Sequence, residues 1–176
     1  MAVFTVIDHE EATGNITSWT KDSIPSSYDH LLLVASTRGQ KSAYFDYYKL
    51  WFNDDSIGGS NYSRTPLETK AASDIRSVRQ TGQGYLAISG VVAASALADT
   101  FGTIKVWIPN YSQTANMTQM FAQWTTPNNS ISNDEWRVGM VAGLRGTTGA
   151  IDEINLGAGD NFVANSTFDL YGLTGA

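Results

Sequence analysis

Side chains able to do acid–base, nucleophilic or metal chemistry are few in this sequence. It holds two histidines, His9 and His30, and no cysteine. Thiol nucleophiles, zinc-thiolate sites and disulfides are therefore excluded, and any imidazole-centred triad must use one of those two residues. His9 stands in Asp8-His9-Glu10-Glu11, which reads as a solvated acidic turn after a strand. His30 precedes Leu31-Leu32-Leu33 and reads as a hydrogen-bonding residue where a strand begins. No Gly-x-Ser-x-Gly elbow, phosphate-binding loop, His-Glu-x-x-His or EF-hand spacing occurs. Gly157-Ala158-Gly159 lacks the third glycine of a dinucleotide loop, and residues 157–161 read instead as a hairpin turn. Asp152 and Glu153 are neighbours on an expected strand, so they face opposite sides and do not converge as a glycosidase pair. Asn53-Asp54-Asp55, with Ser56 and Asn61, offers the oxygen donors that calcium prefers, and the same residues suit an Asx-type turn. These observations point to a chain that is not an enzyme and carries no cofactor or metal.

Aromatic side chains are more plentiful, with five tryptophans and eight tyrosines. Trp19, Trp51, Trp107, Trp124 and Trp136 would suit stacking on sugar rings if some were exposed together; in a sandwich core they would supply apolar area.

The elements that must position these residues are short strands. Alternating or β-rich runs recur at 3–7, 16–20, 30–36, 43–52, 85–91, 103–108, 119–125, 136–144, 151–156 and 162–171, separated by turn residues. Roughly ten such runs predict an all-β sandwich or barrel. Ile104, Val106 and Ile108 form an inward set, and so do Val138, Met140, Ala142 and Leu144; Phe168 and Leu170 are also expected in the core. Residues 92–100 are rich in alanine and allow one short helix or an Ala-rich strand and loop. Residues 53–83 read as a long irregular polar excursion and 125–135 as a second loop, the kind of segment in which a rigid scaffold presents binding groups.

With 176 residues the chain fits one domain, 1–176. Charged residues make up only 16%, against ~25% in ordinary soluble domains, and Ser, Thr, Asn and Gly fill the difference. The net charge of -6 argues against a partner made of nucleic acid. Lys70, Arg76 and Arg79 form the one basic neighbourhood, which reads as a solvated loop. No apolar run approaches the ~20 residues of a membrane helix, and the first residues have no basic, then apolar, leader pattern. No membrane association is expected, and synthesis in the cytoplasm is.

Leu31-Leu32-Leu33-Val34 and the aromatic run Tyr44 to Phe52 are apolar on both faces, as in a central strand or one covered by a partner. The residues predicted to touch a partner are Tyr44, Tyr47, Trp51, Asn53, Asp54, Asp55, Asn61 and Tyr62.

Five stretches, taken in order, resemble a family of bacteriophage virion structural proteins. They are Ile24-Pro-Ser-Ser-Tyr-Asp-His-Leu-Leu-Leu-Val34; Leu50-Trp-Phe-Asn-Asp-Asp to Asn61-Tyr-Ser63; Trp107-Ile-Pro-Asn-Tyr-Ser112; Trp136 with Ala150-Ile-Asp-Glu-Ile154; and the closing Gly159-Asp-Asn-Phe to Leu170-Tyr-Gly-Leu173. The resemblance implies a jelly-roll-like antiparallel β-sandwich on a phage particle. It implies most of all a capsid decoration or cement protein that binds the major capsid protein or another virion protein and associates as a homotrimer. The alternative it leaves is a tail-fibre or receptor-binding module that recognises host glycans. A carbohydrate hydrolase with this architecture is disfavoured by the unpaired carboxylates.

Overall fold

A computed structural model describes residues 3–70, 74–127 and 137–175. Thirteen strands run in chain order: β1 (Val3–Glu11), β2 (Ile16–Lys21), β3 (His30–Thr37), β4 (Phe45–Phe52), β5 (Tyr62–Lys70), β6 (Asp74–Ser77), β7 (Gln80–Gln83), β8 (Leu86–Val92), β9 (Gly102–Pro109), β10 (Met117–Thr126), β11 (Arg137–Thr148), β12 (Ile154–Phe162) and β13 (Thr167–Thr174). They form two sheets. The larger has the order β1-β13-β3-β9-β10-β11-β5-β6, with β7 also paired to β5; the smaller is β2-β12-β4-β8. The chain passes repeatedly from one sheet to the other, from β1 to β2, β2 to β3 and β3 to β4, as jelly-roll connections do. Every ladder between named strands is antiparallel, so the fold is the expected all-β antiparallel sandwich with three more strands than the sequence suggested.

Alternation explains most of the burial. In β10, Thr118, Met120, Ala122, Trp124 and Thr126 turn inward, while Met117, Gln119, Phe121, Gln123 and Thr125 turn outward. In β9, Ile104, Val106 and Ile108 point inward as their spacing predicts. Phe168 and Leu170 of β13 are fully buried, again as expected. Aromatic pairs join the layers: Trp19 of the smaller sheet stacks on Phe168 of the larger at 5.8 Å, and Phe162 meets Phe168 edge-on at 5.2 Å. A buried hydrogen bond of 2.7 Å between Tyr48 and Thr37 ties β4 to β3.

Three sequence expectations change. In β11 the inward set is Arg137, Val141, Gly143 and Arg145, while Val138, Met140, Ala142 and Leu144 face out. The glycines account for the reversal: a Cβ on Gly139 would lie 2.6 Å from the Trp124 ring, and one on Gly143 would lie 2.7 Å from Leu86. Large side chains from neighbouring strands therefore fill the space that the β11 glycines leave empty, and apart from Val141 its apolar residues are turned outward.

Of the short helix or strand and loop that residues 92–100 allowed, the structure shows the second: β8 ends at Val92, residues 93–101 form turns, and no helix occurs among the described residues. The Arg38 guanidinium donates to the carbonyls of Ala94, Ala96, Leu97 and Thr100, which satisfies backbone groups that a helix would have paired internally.

The 53–83 excursion contains β5, β6 and β7. Pro66 lies inside β5, but β6 pairs with Leu67 to Lys70 and β7 with Tyr62 and Arg64, so the residue without an N–H falls between the two partners. Residues 157–161 belong to β12, with a register shift between Gly157 and Phe162, and the turn comes after Phe162. The sequence positions Trp136 and 128–135 lie outside the described residues.

Replacing Phe168 with alanine is expected to cost about 3–5 kcal/mol, because it removes the ring that Trp19 and Phe162 both contact. Denaturant unfolding of the variant checks this; an unchanged midpoint and slope would mean the ring does not join the sheets.

Candidate functional site

Each sheet buries one face against the other, so candidate binding groups stand on two outer faces. On the smaller sheet, β4 turns Tyr48, Leu50 and Phe52 into the core and leaves Tyr47, Lys49 and Trp51 outside. The register places Trp51 beside Asn155 and Thr20, and Lys49 beside Gly157 and Ser18. The indole lies over Gly157: a Cβ there would be 3.4 Å from the Trp51 ring, an ordinary van der Waals contact, so the position leaves room for the ring without demanding glycine. The half-buried ring thus lies against bare backbone at the edge of a cleft of about 310 Å³. Thr17, Ser18, Lys49, Asp160 and Asn161 supply hydroxyl, ammonium, carboxylate and amide groups to the same cleft, and Ile57 closes one side.

Asp46 builds this rim, and sequence reasoning passed over it. The residue is fully buried, and its carboxylate accepts the backbone N–H of Tyr47 at 2.9 Å and of Asp160 at 3.0 Å, together with the Lys41 ammonium at 3.2 Å. A Cβ on Gly159 would collide with that carboxylate. A lone acidic residue inside the aromatic run Tyr44 to Phe52 was the available signal, since a charge is seldom fully buried without partners. Asn161 is fixed further by donating to Gln40 Oε1 at 3.0 Å.

The sequence-predicted contact residues divide between this cleft and a structural knot. Trp51 lines the cleft. Tyr47 stands nearby, 40% exposed, with the Lys41 ammonium 4.9 Å from its ring centre. Tyr44 is half-buried and its carbonyl accepts the Ala93 N–H. Asp54 is exposed in the turn after β4. Asn53 works as a staple: its Nδ2 donates to the Ala150 carbonyl at 2.9 Å and its Oδ1 accepts the N–H groups of Asp152 and Glu153 at 3.1 and 3.2 Å.

Asp55, Asn61 and Tyr62 belong to the knot. Arg145 grips both Asp55 oxygens, with Nε at 2.7 Å and Nη2 at 2.9 Å. The buried Tyr62 hydroxyl donates to Asp55 at 2.6 Å and accepts the Phe52 N–H at 2.9 Å. Asn61 is half-buried, and its carbonyl accepts the Gly146 N–H at 2.6 Å. Burial pushes the Asp55 carboxyl up, but the Arg145 and Tyr62 hydrogen bonds outweigh it and hold the group below its usual value. Burial, and then the neighbouring carboxylate, push the Tyr62 phenol upward. With both carboxylate oxygens engaged by arginine, Asp55 is committed to holding the β4–β5 loop on β11 and is not presented for calcium.

The histidines are structural. His9 Nδ1 meets Asp169 Oδ1 at 2.6 Å across β1 and β13, and the carboxylate raises the imidazole pKa. His30 Nδ1 accepts the Asn110 N–H at 3.1 Å, the strand-end role read from the sequence, and its ring lies 4.9 Å from that of Trp107.

The outer face of the larger sheet is different in chemistry. A trough over β9, β10, β11 and β5 is walled by Leu67, Ile75, Val138 and Met140, with a volume of about 500 Å³. Beside it Trp107, Phe121, Gln119 and Arg79 border a second hollow of about 340 Å³. Of the tryptophans, Trp19 and Trp124 are buried in the core, and Trp51 and Trp107 are the half-exposed ones among the described residues.

No family model matches this chain, and no curated protein sequence matches it. Among solved structures, the carbohydrate recognition domain of Emp47p overlaps it with a TM-score of 0.31 and 12% identity, over 98% of this chain and 87% of that one. The CBM2 module of the evolved Dit of Lactobacillus casei BL23 phage J-1 gives a TM-score of 0.26 and 8% identity, over 90% and 69%. The binding domain of Botulinum Neurotoxin DC in complex with SialylT gives 0.23 and 10%, over 92% of this chain and 42% of that one. None of these overlaps is deep enough to carry fold or function to this chain.

Arg145→Ala would strand the Asp55 carboxylate and is expected to cost about 3 kcal/mol. Because the Asp55 pKa is depressed on folding, the stability it contributes is complete above its unfolded value of 3.8 and is lost as pH falls through the lower folded value. Melting temperatures measured from neutral pH into acid should fall less steeply for Asp55→Asn than for the natural chain; parallel curves would contradict the assignment.

Proposed function

We propose that this chain is a non-enzymatic glycan-recognition module carried on a phage particle, with the Trp51 cleft as its sugar-binding site. The observation that carries the reading is the half-exposed Trp51 ring at the cleft, beside hydroxyl, amide, carboxylate and ammonium groups. A pyranose ring presents C–H bonds on one face and hydroxyls around its rim. An indole face takes the first, and mixed donors and acceptors take the second. The platform is pre-formed: Asp46 and Gln40 hold the 160–161 segment. Ligand binding then orders little that is not already ordered, which favours affinity. The phage setting comes from the ordered sequence resemblance, from Ile24-Pro25 to Leu170-Tyr171-Gly172.

The decoration reading draws on a different observation, the apolar outer face of the larger sheet, where Leu67, Val138, Met140 and Phe121 stand exposed. A shell subunit packed there would add association energy at each of many repeated lattice sites.

Glycan arrays and titration with host surface polysaccharide separate the two. The expectation is saturable sugar binding that Trp51→Ala weakens tenfold or more, about 1.4 kcal/mol or greater, with an unchanged melting temperature. Undiminished binding by Trp51→Ala would remove the cleft from the account. No sugar binding, together with tight binding to empty phage heads, would favour decoration.

A further inference from the structure

We infer that the Trp51 cleft takes a linear oligosaccharide laid along β4, with one sugar on the Trp51 ring and a later sugar of the same chain on Tyr47. The inference rests on the cleft being the sugar site and adds the class of its ligand. It starts from a single strand. Tyr47, Lys49 and Trp51 occupy alternate positions of β4 and face outward, while Asp46, Tyr48, Leu50 and Phe52 are buried between and beside them. Four residues of strand separate the two aromatics by about 13 Å, which is longer than any single sugar ring. A ligand that touches both is therefore a chain.

The rest of the cleft follows the same line. Beside β4 runs β12, with Gly157 opposite Lys49 and Ala158 opposite Tyr48, so that Gly159 comes next, level with Tyr47. All three line the cleft, which thus continues from the indole toward the tyrosine. With no side chain larger than a methyl group, they keep its floor low along that path. Thr17 and Ser18 of β2 border the far side, and Asp160 and Asn161 stand where the cleft nears Tyr47. The other end is occupied by Ile57. A Cβ on Gly84 would collide with the Ile57 carbonyl, and Gly84 lies two residues before Leu86, the partner of Leu50. The β4–β5 loop is therefore packed down beyond Trp51, and the direction left for a longer ligand is toward Tyr47.

Tyr47 is held as a platform. Its backbone N–H donates to the buried Asp46 carboxylate at 2.9 Å, and the same carboxylate binds the Lys41 ammonium at 3.2 Å. That ammonium lies 4.9 Å from the centre of the Tyr47 ring, and Phe45 meets the ring edge-on at 6.5 Å. These contacts fix the ring while 40% of the residue stays exposed. Between the two aromatics Lys49 lines the cleft, with its ammonium 5.7 Å from the centre of the Tyr85 ring. Aromatic faces take the C–H faces of separate sugars, and the ammonium between them donates to hydroxyls of the linking stretch. Once the first sugar is seated on Trp51, the one at Tyr47 binds at the high effective concentration set by the linkage.

Calorimetric titration of the whole chain with size-fractionated fragments of host surface polysaccharide tests this. Affinity should rise about tenfold or more from the disaccharide to the tetrasaccharide fraction. Tyr47→Ala should abolish that rise, leave disaccharide binding as it was and keep the melting temperature, whereas Tyr47→Phe should retain the rise. Trp51→Ala should weaken every length. Fragments that bind through Trp51 with an affinity independent of length would overturn the inference and leave the cleft as a single-sugar site. A rise that Tyr47→Ala leaves intact would overturn it too, because the chain would then run elsewhere. No binding at any length would remove the inference together with the sugar reading it rests on.

Discussion

The stacking of Trp19 on Phe168, with Phe162 against the same ring, is the contact on which the rest of the molecule depends. It brings β2, β12 and β13 into one core and joins the two sheets in the absence of disulfides. Its consequence is that each sheet has one covered face and one open face. The larger sheet is eight strands wide, with β7 sharing the edge of β5 with β6, and the smaller is four wide. Part of the larger sheet's inner face must therefore be finished by other means. Arg137 and Arg145 turn inward there, and Gly139 and Gly143 make room for Trp124 and Leu86.

That compensation explains which parts of the fold were legible in the sequence. Ile104, Val106 and Ile108 alternate with polar neighbours, and their inward facing could be read directly. The facing of β11 could not, because its larger apolar side chains belong to the outer face while its glycines belong to the core. The rule that apolar residues point inward fails where the opposing side chain is a tryptophan that needs the volume. In the same way β5 was hidden by Pro66, which is tolerated only because its two edge partners stop on either side of it. The candidate site was half legible. Trp51 and Tyr47 stood out as aromatics on the outward parity of a strand, whereas Asp46, Gly157 and Gly159 act through contacts with residues over a hundred positions away. Asn53 and Asp55 looked like ligand groups because polar side chains that close a loop are the same types that bind ions.

The two open faces suit separate tasks. The smaller sheet offers a narrow, mixed-polarity cleft with an aromatic ring at its edge; the larger offers a broad surface on which Leu67, Val138, Met140 and Phe121 stand exposed.

The most direct measurement of this division is the set of tryptophan indole N–H signals during titration with host surface polysaccharide. The account predicts that the Trp51 signal shifts, because its ring meets the sugar, while the core signals of Trp19 and Trp124 and the signal of Trp107 on the opposite face hold still. Movement of Trp107 with Trp51 unchanged would contradict it, placing recognition on the larger sheet.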